Sequence, residues 1–289
     1  MSATATRVRD VEVSAVREAI ARLLVESNYQ IPADVLAALR NAVEREESPL
    51  GRRTLEQIVR NYEIAAEERL PVCQDSGVTV VMLEVGQDAH FAGGSLHDAI
   101  YDAIREGTQS GYLRWSVTGD PTRRLKMAGG GDAPGVIHVD LVPGDEVRVT
   151  VASKGFGAEN MSALRMLVPA DGVAGIRDVV IDTVDRAGAN ACPPIVVGVG
   201  IGGTFEQAAF LAKKAVLRPL TTRNARPDLR ELEDEWLEAV NRLGIGPQGL
   251  GGVVTALAVN IEVHPTHIAG LPVAVNLGCH SMRRATATL

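Results

Sequence analysis

This sequence of 289 residues lacks long apolar runs and has few aromatic residues. No stretch approaches the roughly 18 to 20 apolar residues that a membrane-spanning helix requires, and Met1–Asp10 has no apolar segment behind its charges, which argues against a signal peptide. Aromatic residues make up 3% of the chain, so surfaces for base stacking are not expected. These absences predict a soluble, cytoplasmic protein without a membrane partner.

Positive charge is also in short supply. Lysine and arginine total 29 against 36 aspartate and glutamate residues, which gives a net charge of −7. This balance argues against a general nucleic-acid binder, because such proteins carry an excess of basic residues. It still allows local basic pockets for small anions.

The three cysteines, Cys73, Cys192 and Cys279, are too few and too dispersed for a disulfide framework. A single cysteine is most often a small buried apolar residue. Each of these, however, lies beside glycine, proline or polar residues at the predicted end of an element. Local Cys-x-x-Cys pairs, which are typical of zinc sites, are absent, whereas three thiolates suit an iron–sulfur cluster with one open iron. The spacing of the cysteines alone does not decide between buried apolar residues and ligands of such a cluster.

The hydrophobic pattern predicts an α/β fold in which an N-terminal helical layer (residues 1–70) precedes a mixed sheet flanked by helices (residues 71–289). We expect these parts to form one domain over residues 1–289, because no polar linker separates them. Predicted helices cover Val11–Leu24, 33–46, 49–68 with Ser48 as N-cap, 95–110 and 227–243. Predicted strands cover Val78–Val85, Ile137–Val142, Glu146–Val151, Pro193–Ile201, Val253–Val263 and Leu271–Leu277, with a turn at Pro143–Asp145 joining the second and third strands. Residues 127–132 are predicted to form a glycine-rich loop.

The segment Gly198–Gly203 fits the G-x-G-x-x-G pattern of dinucleotide-binding proteins, with a predicted strand before it. The predicted helix after it begins at Thr204 as N-cap, with Gln207 completing a capping box. The acidic residue expected about twenty positions later, which would bind the ribose, is missing; the first acid is Asp228. We therefore favour close packing or anion binding at this helix N-terminus, with a nicotinamide oxidoreductase as the alternative.

The remaining candidates are isolated basic residues. Arg114 stands in an apolar setting, and the pair Arg283–Arg284 follows Cys279, so each is a candidate for binding a carboxylate. The histidines His264, His267 and His280 are interpreted as structural or supporting residues, and the sequence leaves their roles open.

Several segments together resemble the iron–sulfur class I fumarate hydratases and the related L-tartrate dehydratases. The matching segments are Pro71–Gly77, Lys154–Asn160, Ala191–Gly202, Leu243–Gly249 and Leu271–His280. They occur in the family's order from about residue 15 to the C-terminus, and the chain resembles the α subunit of the two-subunit form.

The resemblance implies a [4Fe-4S] cluster held by Cys73, Cys192 and Cys279, whose fourth iron binds the substrate. It also implies that Asp75 is the acid–base residue. The residues that it implies for substrate binding are Gln74, Arg114, Gly155 and Gly157. The family commonly has Gly-Gly-Gly-Ser after the lysine, and Phe156 interrupts that run here.

The implied function is the reversible hydration of fumarate to L-malate, a reaction of the tricarboxylic acid cycle. A separate β subunit would complete the active site, and we expect two copies of this chain to form an α–α dimer. An L-tartrate dehydratase is the alternative within the same class, because the cluster motifs do not distinguish two small C4 dicarboxylate substrates. A non-catalytic iron–sulfur electron carrier is a further alternative.

Overall fold

The computed structural model describes residues 8–127 and 132–289. Residues 128–131 of the predicted glycine-rich loop lie outside this range. The helices are α1 Val13–Tyr29, α2 Ala33–Arg45, α3 Pro49–Glu68, α4 Leu96–Ser110, α5 Phe156–Glu159, α6 Gly172–Ala187, α7 Phe205–Leu217 and α8 Pro227–Asn241. None of the helices in the described ranges is both long and apolar enough to cross a membrane.

The strands complete the α/β class that the sequence predicts. They are β1 Arg9–Glu12, β2 Val78–Gly86, β3 Ala89–Ala92, β4 Thr118–Asp120, β5 Leu125–Lys126, β6 Val136–Val142, β7 Val147–Lys154, β8 Ala163–Leu167, β9 Ile195–Gly202, β10 Ala256–His264, β11 Leu271–Gly278 and β12 Arg284–Thr288. The described chain divides into two compact units. The first unit comprises the described parts of Met1–Pro32, Ile64–Lys154 and Arg283–Leu289, and the second comprises Ala33–Glu63 and Gly155–Met282. The functional organisation as one iron–sulfur domain stays a prediction.

The first unit is built on a four-stranded sheet with the order β12-β7-β2-β6. The strand β2 is central, antiparallel to β7 and parallel to β6. Helices α1 and α4 contribute side chains such as Ile20 and Ile104 to a core shared with Leu83 of β2 and Val149 of β7. Removing these aliphatic side chains from water supplies the main stabilisation of this unit.

The second unit has a four-stranded sheet with the order β10-β9-β11-β8. Alternate side chains of β9 point to opposite faces, as in any strand. Val197 and Val199 pack in a core with α6 and α8, and that core includes the fully buried Trp236. The intervening glycines Gly198 and Gly200 face α7. The sheet therefore has helices on both faces.

A buried carboxylate fixes one loop of the second unit. Glu46, just after α2, is fully buried and accepts hydrogen bonds from the backbone amides of Ser48, Val253 and Val254 at 2.9, 3.1 and 3.0 Å. A Cβ atom on Gly252 would lie 2.5 Å from a Glu46 carboxylate oxygen. The loop that precedes β10 can therefore approach Glu46 only with glycine at this position.

Several local predictions prove wrong in detail. Val11 lies in β1, which pairs in parallel with β3, and not in the first helix. The strands β6 and β7 do not pair with each other across the turn at Pro143–Asp145, because β2 lies between them. Thr204 is the N-cap of α7 but makes no side-chain capping hydrogen bond. Its hydroxyl instead hydrogen-bonds the Glu206 carboxyl group and helps to lower the pKa of that group, second to the effect of the Glu206 backbone amide.

Other predictions hold. The predicted helices at 33–46, 49–68 and 95–110 correspond to α2, α3 and α4 within one residue at each end. The hydroxyl of Ser48 accepts a hydrogen bond from the Gly51 amide at 3.2 Å, as expected for an N-cap. The helix α6 and the strand β8 have no counterpart among the sequence predictions.

Candidate active site

The first candidate group lies on the turn that leads into β2. Cys73 and Asp75 are half-buried and Gln74 is exposed. The Asp75 amide donates to the Cys73 Sγ atom at 3.4 Å, and the Gly77 amide donates to Asp75 Oδ1 at 2.9 Å. An aspartate that accepts from the amide two residues later stabilises a tight turn. The local sequence therefore places a thiol, an amide and a carboxylate side by side on one fixed turn.

A second loop of the same unit carries Arg114. Its side chain is exposed, while its backbone carbonyl accepts a hydrogen bond from the Ser76 hydroxyl. The buried carboxylate of Asp132 accepts from the backbone amides of Ser116 and Val117, the latter at 3.0 Å. The Ser76 bond joins the Arg114 loop to the turn that begins at Cys73, and the Asp132 bonds join the same loop to the segment before β6.

Asp132 is a residue that the sequence analysis did not single out. Burial raises the pKa of its carboxyl group, and the two backbone amides and the charge of Arg114 oppose that rise. The charge of Asp75 adds to the rise. Asp75, Arg114 and Asp132 therefore share one electrostatic environment. The only sequence signal was an acid directly after a glycine run, which is too common to identify a site.

The second unit places Cys192 and Cys279 at the same edge of its sheet. The strands β9 and β11 are antiparallel, with Val196 opposite Gly278, so the segment before β9 lies beside the segment after β11. The amide of His280 donates to the carbonyl of Cys192 at 3.3 Å, which joins the two cysteine-bearing segments. Both side chains are half-buried.

The backbone at Cys192 is held in an uncommon conformation. Its φ angle is +54°, in the left-handed region that costs a non-glycine residue roughly 1–2 kcal/mol. Gln248 holds the next residue from two atoms, because its backbone amide and its side-chain Nε2 both donate to the Pro193 carbonyl, at 2.8 and 2.9 Å. Strain that surrounding contacts maintain is found preferentially at functional sites.

The predicted substrate loop around Gly155 is partly helical. Gly155 is the N-cap of the one-turn helix α5, and Gly157 lies inside that helix. A Cβ atom on Gly157 would lie 3.2 Å from the carbonyl of Asn190, two residues before Cys192. The α5 turn therefore lies against the Cys192 segment of the same unit, and Phe156 is exposed.

Arg283 and the three candidate histidines each have a hydrogen-bond partner within their own unit. Arg283 is 2% exposed and donates to the Asn28 side chain at 3.0 Å. His280 Nδ1 hydrogen-bonds the Tyr62 hydroxyl. His264 and His267 bond backbone groups of their own turns. These contacts fit structural roles.

The predicted site residues thus fall into two groups. Cys73, Gln74, Asp75 and Arg114 belong to the first unit, whereas Cys192, Cys279, Gly155 and Gly157 belong to the second. None of the three cysteines is in a disulfide bond. Among residues 8–127 and 132–289, no group of three or more His, Cys, Asp or Glu side chains forms an arrangement that could hold a metal ion. The meeting of the three thiols stays a prediction.

The G-x-G-x-x-G segment has a packing explanation. A Cβ atom on Gly198 would lie 2.3 Å from the Ala212 carbonyl, and one on Gly200 would lie 2.1 Å from the Ala208 carbonyl. Both glycines lie inside β9 and not in a phosphate-binding turn. Their side-chain-free faces allow α7 to lie directly on the strand.

The fold and these groups define an α/β chain with three cysteines outside any disulfide bond, on segments next to strands, and a carboxylate beside one of them. Residues 17–288 match the model of the family described as fumarate hydratase (Fumerase). The chain belongs to that family.

Named relatives are similar over almost their whole length. A Methanocaldococcus jannaschii protein, provisionally named L(+)-tartrate dehydratase subunit alpha, is 40% identical over 93% of this chain and 96% of its own. Proteins named L(+)-tartrate dehydratase subunit alpha from Escherichia coli strain UTI89 and Shigella sonnei are 34% and 33% identical, each over 95% of this chain and 90% of theirs.

Proposed function

We propose that this chain is the cluster-bearing α subunit of a hydro-lyase that interconverts fumarate and L-malate. The observation that carries the proposal is the turn at Cys73, where Asp75 lies beside a free thiol and shares an environment with Arg114. Membership of the fumarate hydratase family supports the same reaction class.

The donor set suits an iron–sulfur cluster. Cys73, Cys192 and Cys279 are half-buried thiols outside any disulfide bond, on segments next to strands, and the last two lie at one sheet edge. In this proposal these three residues would hold a [4Fe-4S] cluster, in which three protein thiolates leave one iron open. When bound, such a cluster supplies a Lewis acid for the departing hydroxyl group.

Asp75 performs the proton transfer in this proposal. In the dehydration direction its carboxylate accepts a proton from the carbon next to the hydroxyl-bearing carbon. The electron pair of that C–H bond forms the double bond as the hydroxyl group departs, and the net products are fumarate and water. In the hydration direction Asp75 returns the proton. The hydrogen bond from Gly77 fixes the carboxylate on its turn.

The other residues bind and orient the dicarboxylate. The exposed guanidinium of Arg114 is suited to a two-point contact with a carboxylate, and the Ser76 bond to its backbone limits the movement of its loop. Gln74 is exposed on the turn and can hydrogen-bond the substrate. In this proposal, backbone amides near Gly155 and Gly157 would also contact the substrate.

A separate β subunit is part of the proposal. The relatives carry the words "subunit alpha" in their names, and this chain covers at least 90% of their length. We infer that the partner supplies the remaining substrate-binding groups and that two copies of this chain form an α–α dimer.

The deciding experiment combines metal analysis and turnover. The chain would be purified without oxygen together with its β subunit, and iron, sulfide and the malate-to-fumarate rate would be measured. We expect about four irons per chain and appreciable turnover of L-malate. Iron-free protein that binds NADH would instead favour the oxidoreductase, and a cluster unaffected by added dicarboxylate would favour an electron carrier.

L(+)-Tartrate dehydration is the second candidate, because that substrate appears in the names of the relatives. Tartrate has a second hydroxyl group where malate has a hydrogen atom. A site that hydrogen-bonds this group discriminates strongly against the substrate without it. Turnover of both substrates by the same preparation decides between them, and faster turnover of tartrate would overturn the choice of malate.

A further inference from the structure

Glu159, the last residue of α5, is the centre of a polar cluster in the second unit. The Lys213 ammonium group of α7 lies 2.6 and 2.7 Å from its two carboxylate oxygens. The side-chain amide of Asn276 in β11 donates to one of these oxygens at 2.8 Å. The side chains of Lys213 and Glu159 are 14% and 28% exposed, so this ion pair is shielded from solvent on most sides.

Ser162 extends the cluster to the backbone of β11. Its hydroxyl oxygen accepts hydrogen bonds from the Asn276 side chain at 3.0 Å and from the Leu277 amide at 3.1 Å. Asn276 is 6% exposed and three residues before Cys279. The same cluster therefore contacts the end of α5 and the strand that leads to a proposed cluster ligand.

The helix α5 needs such an attachment. It has four residues, and a single helical turn has no independent stability because nucleation costs more than one or two hydrogen bonds return. Its first residues also lack a side-chain cap, since Gly155 is the N-cap. The position of the backbone at residues 155–157 thus depends on tertiary contacts, and the Glu159 cluster supplies contacts between charged side chains.

We propose that Glu159 is a positioning residue that fixes the backbone amides of residues 155–157 for the substrate carboxylate. This inference rests on the proposed function, because that function makes these amides a substrate contact. Glu159 touches no reacting atom in this scheme. It acts by holding α5 to α7 and β11, and a displacement of about 1 Å in such a contact can lower kcat/KM as much as about a hundredfold.

The second unit offers a matched control. Glu233 of α8 is 5% exposed at its side chain and pairs with Arg218 at 2.5 Å, and it also accepts from the Ile261 amide at 2.8 Å. This ion pair is at least as buried as Lys213–Glu159 but belongs to the α8–β10 side of the sheet. If the effects of Glu159→Gln came only from the loss of a buried ion pair in this unit, Glu233→Gln should therefore cause the same effects.

The test measures amide exchange and kinetics of the same variants. Hydrogen–deuterium exchange would be followed in the isolated chain, and malate turnover in the α/β complex, for Glu159→Gln, Lys213→Gln, Lys213→Arg and Glu233→Gln. For Glu159→Gln and Lys213→Gln we expect exchange at residues 155–160 to accelerate about tenfold, and kcat/KM to fall about tenfold to a hundredfold, mainly through KM. Lys213→Arg should largely restore both values.

Glu233→Gln should leave exchange at residues 155–160 and the KM within about twofold of the wild type. The inference is overturned if Glu159→Gln leaves both quantities unchanged in an active complex, or if Glu233→Gln changes them equally. If the wild-type complex dehydrates neither malate nor tartrate, the proposed function fails. In that case hydrogen–deuterium exchange alone tests whether Glu159 holds α5 to α7 and β11. Faster exchange in Glu159→Gln supports this attachment, and unchanged exchange rejects it.

Discussion

The two cysteine-bearing regions of the molecule are held in different ways. The Cys73 turn of the first unit and the adjoining Arg114 loop are held by backbone amides that donate to side-chain carboxylates, such as Gly77 to Asp75 and Val117 to Asp132. In the second unit, Cys192 and Cys279 are placed by the register of β9 and β11 and by a helix packed directly on glycines. The polar residues for chemistry thus stand on a turn held by hydrogen bonds to side chains, and two candidate ligands stand on segments placed by strand pairing.

The largest expected effect tests the chemistry of the loop. Asp75→Asn keeps an oxygen that can accept from the Gly77 amide, so the turn should persist. Turnover should fall by about a hundredfold or more, the range for loss of a general acid or base, while iron content stays at the wild-type value. Steady-state rates and iron analysis of the α/β complex check both points.

The matched control for that variant is Asp98→Asn, which alters a carboxylate on α4 whose side chain is 77% exposed. It should leave turnover unchanged. A wild-type rate in Asp75→Asn would remove Asp75 from the mechanism, and loss of iron would make it a structural residue.

The next effect tests the close packing of α7 on β9 in the second unit. Gly200→Ala would place a Cβ atom 2.1 Å from the Ala208 carbonyl, so α7 must move. We expect the free energy of unfolding to fall by about 1–3 kcal/mol, as for other overpacked cores, with lower cluster occupancy. Denaturant titration monitors the stability.

For comparison, Gly270→Ala places its Cβ atom 3.9 Å from the nearest atom, the His267 carbonyl oxygen. This substitution should change the stability by less than about 0.5 kcal/mol. Equal effects of the two alanines would contradict the packing account of Gly200.

The smallest effect tests the hydrogen bonds that Asp132 accepts from the Arg114 loop. Asp132→Ala removes the acceptor of two backbone amides and should cost about 1–2 kcal/mol of stability. Asp132→Asn keeps an acceptor oxygen and should cost less. Both values come from denaturant titration at neutral pH.

Comparison of the wild type with Asp132→Asn tests a pH dependence of stability. Burial raises the pKa of Asp132 above its ordinary value of 3.8, so folding favours the protonated carboxyl group. The stability associated with protonation is present below the ordinary pKa and is lost as pH rises through the raised, folded-state pKa. Between these two pKa values, a rise in pH should therefore lower the free energy of unfolding of the wild type relative to that of Asp132→Asn. A constant difference would contradict burial as the cause.

Much of the fold followed from periodicity. The amphipathic patterns of α2, α3 and α4 and the aliphatic run of β2 were sufficient, because each element buries one regular face. Strand order was not accessible, since the insertion of β2 between β6 and β7 depends on pairing between distant segments. A short turn between two strands predicts a hairpin, and here another strand occupied that position.

The residues of the candidate site were likewise only partly predictable from the sequence. Cys73 and Asp75 could be selected because unusual residue types occur together in the sequence. Asp132 and Glu159 could not, since their importance comes from burial and from partners far along the chain. The G-x-G-x-x-G pattern shows the opposite problem, because close packing of a helix on a strand requires the same glycines as a phosphate turn.

The contact between Glu46 and Gly252 has an evolutionary consequence. Any side chain at position 252 would collide with the buried carboxylate, and any shorter residue at position 46 would leave the amides of Val253 and Val254 without their acceptor. Either change alone is therefore harmful, and only a concerted replacement preserves the loop. Among divergent sequences that keep this fold, positions 46 and 252 should vary together or not at all.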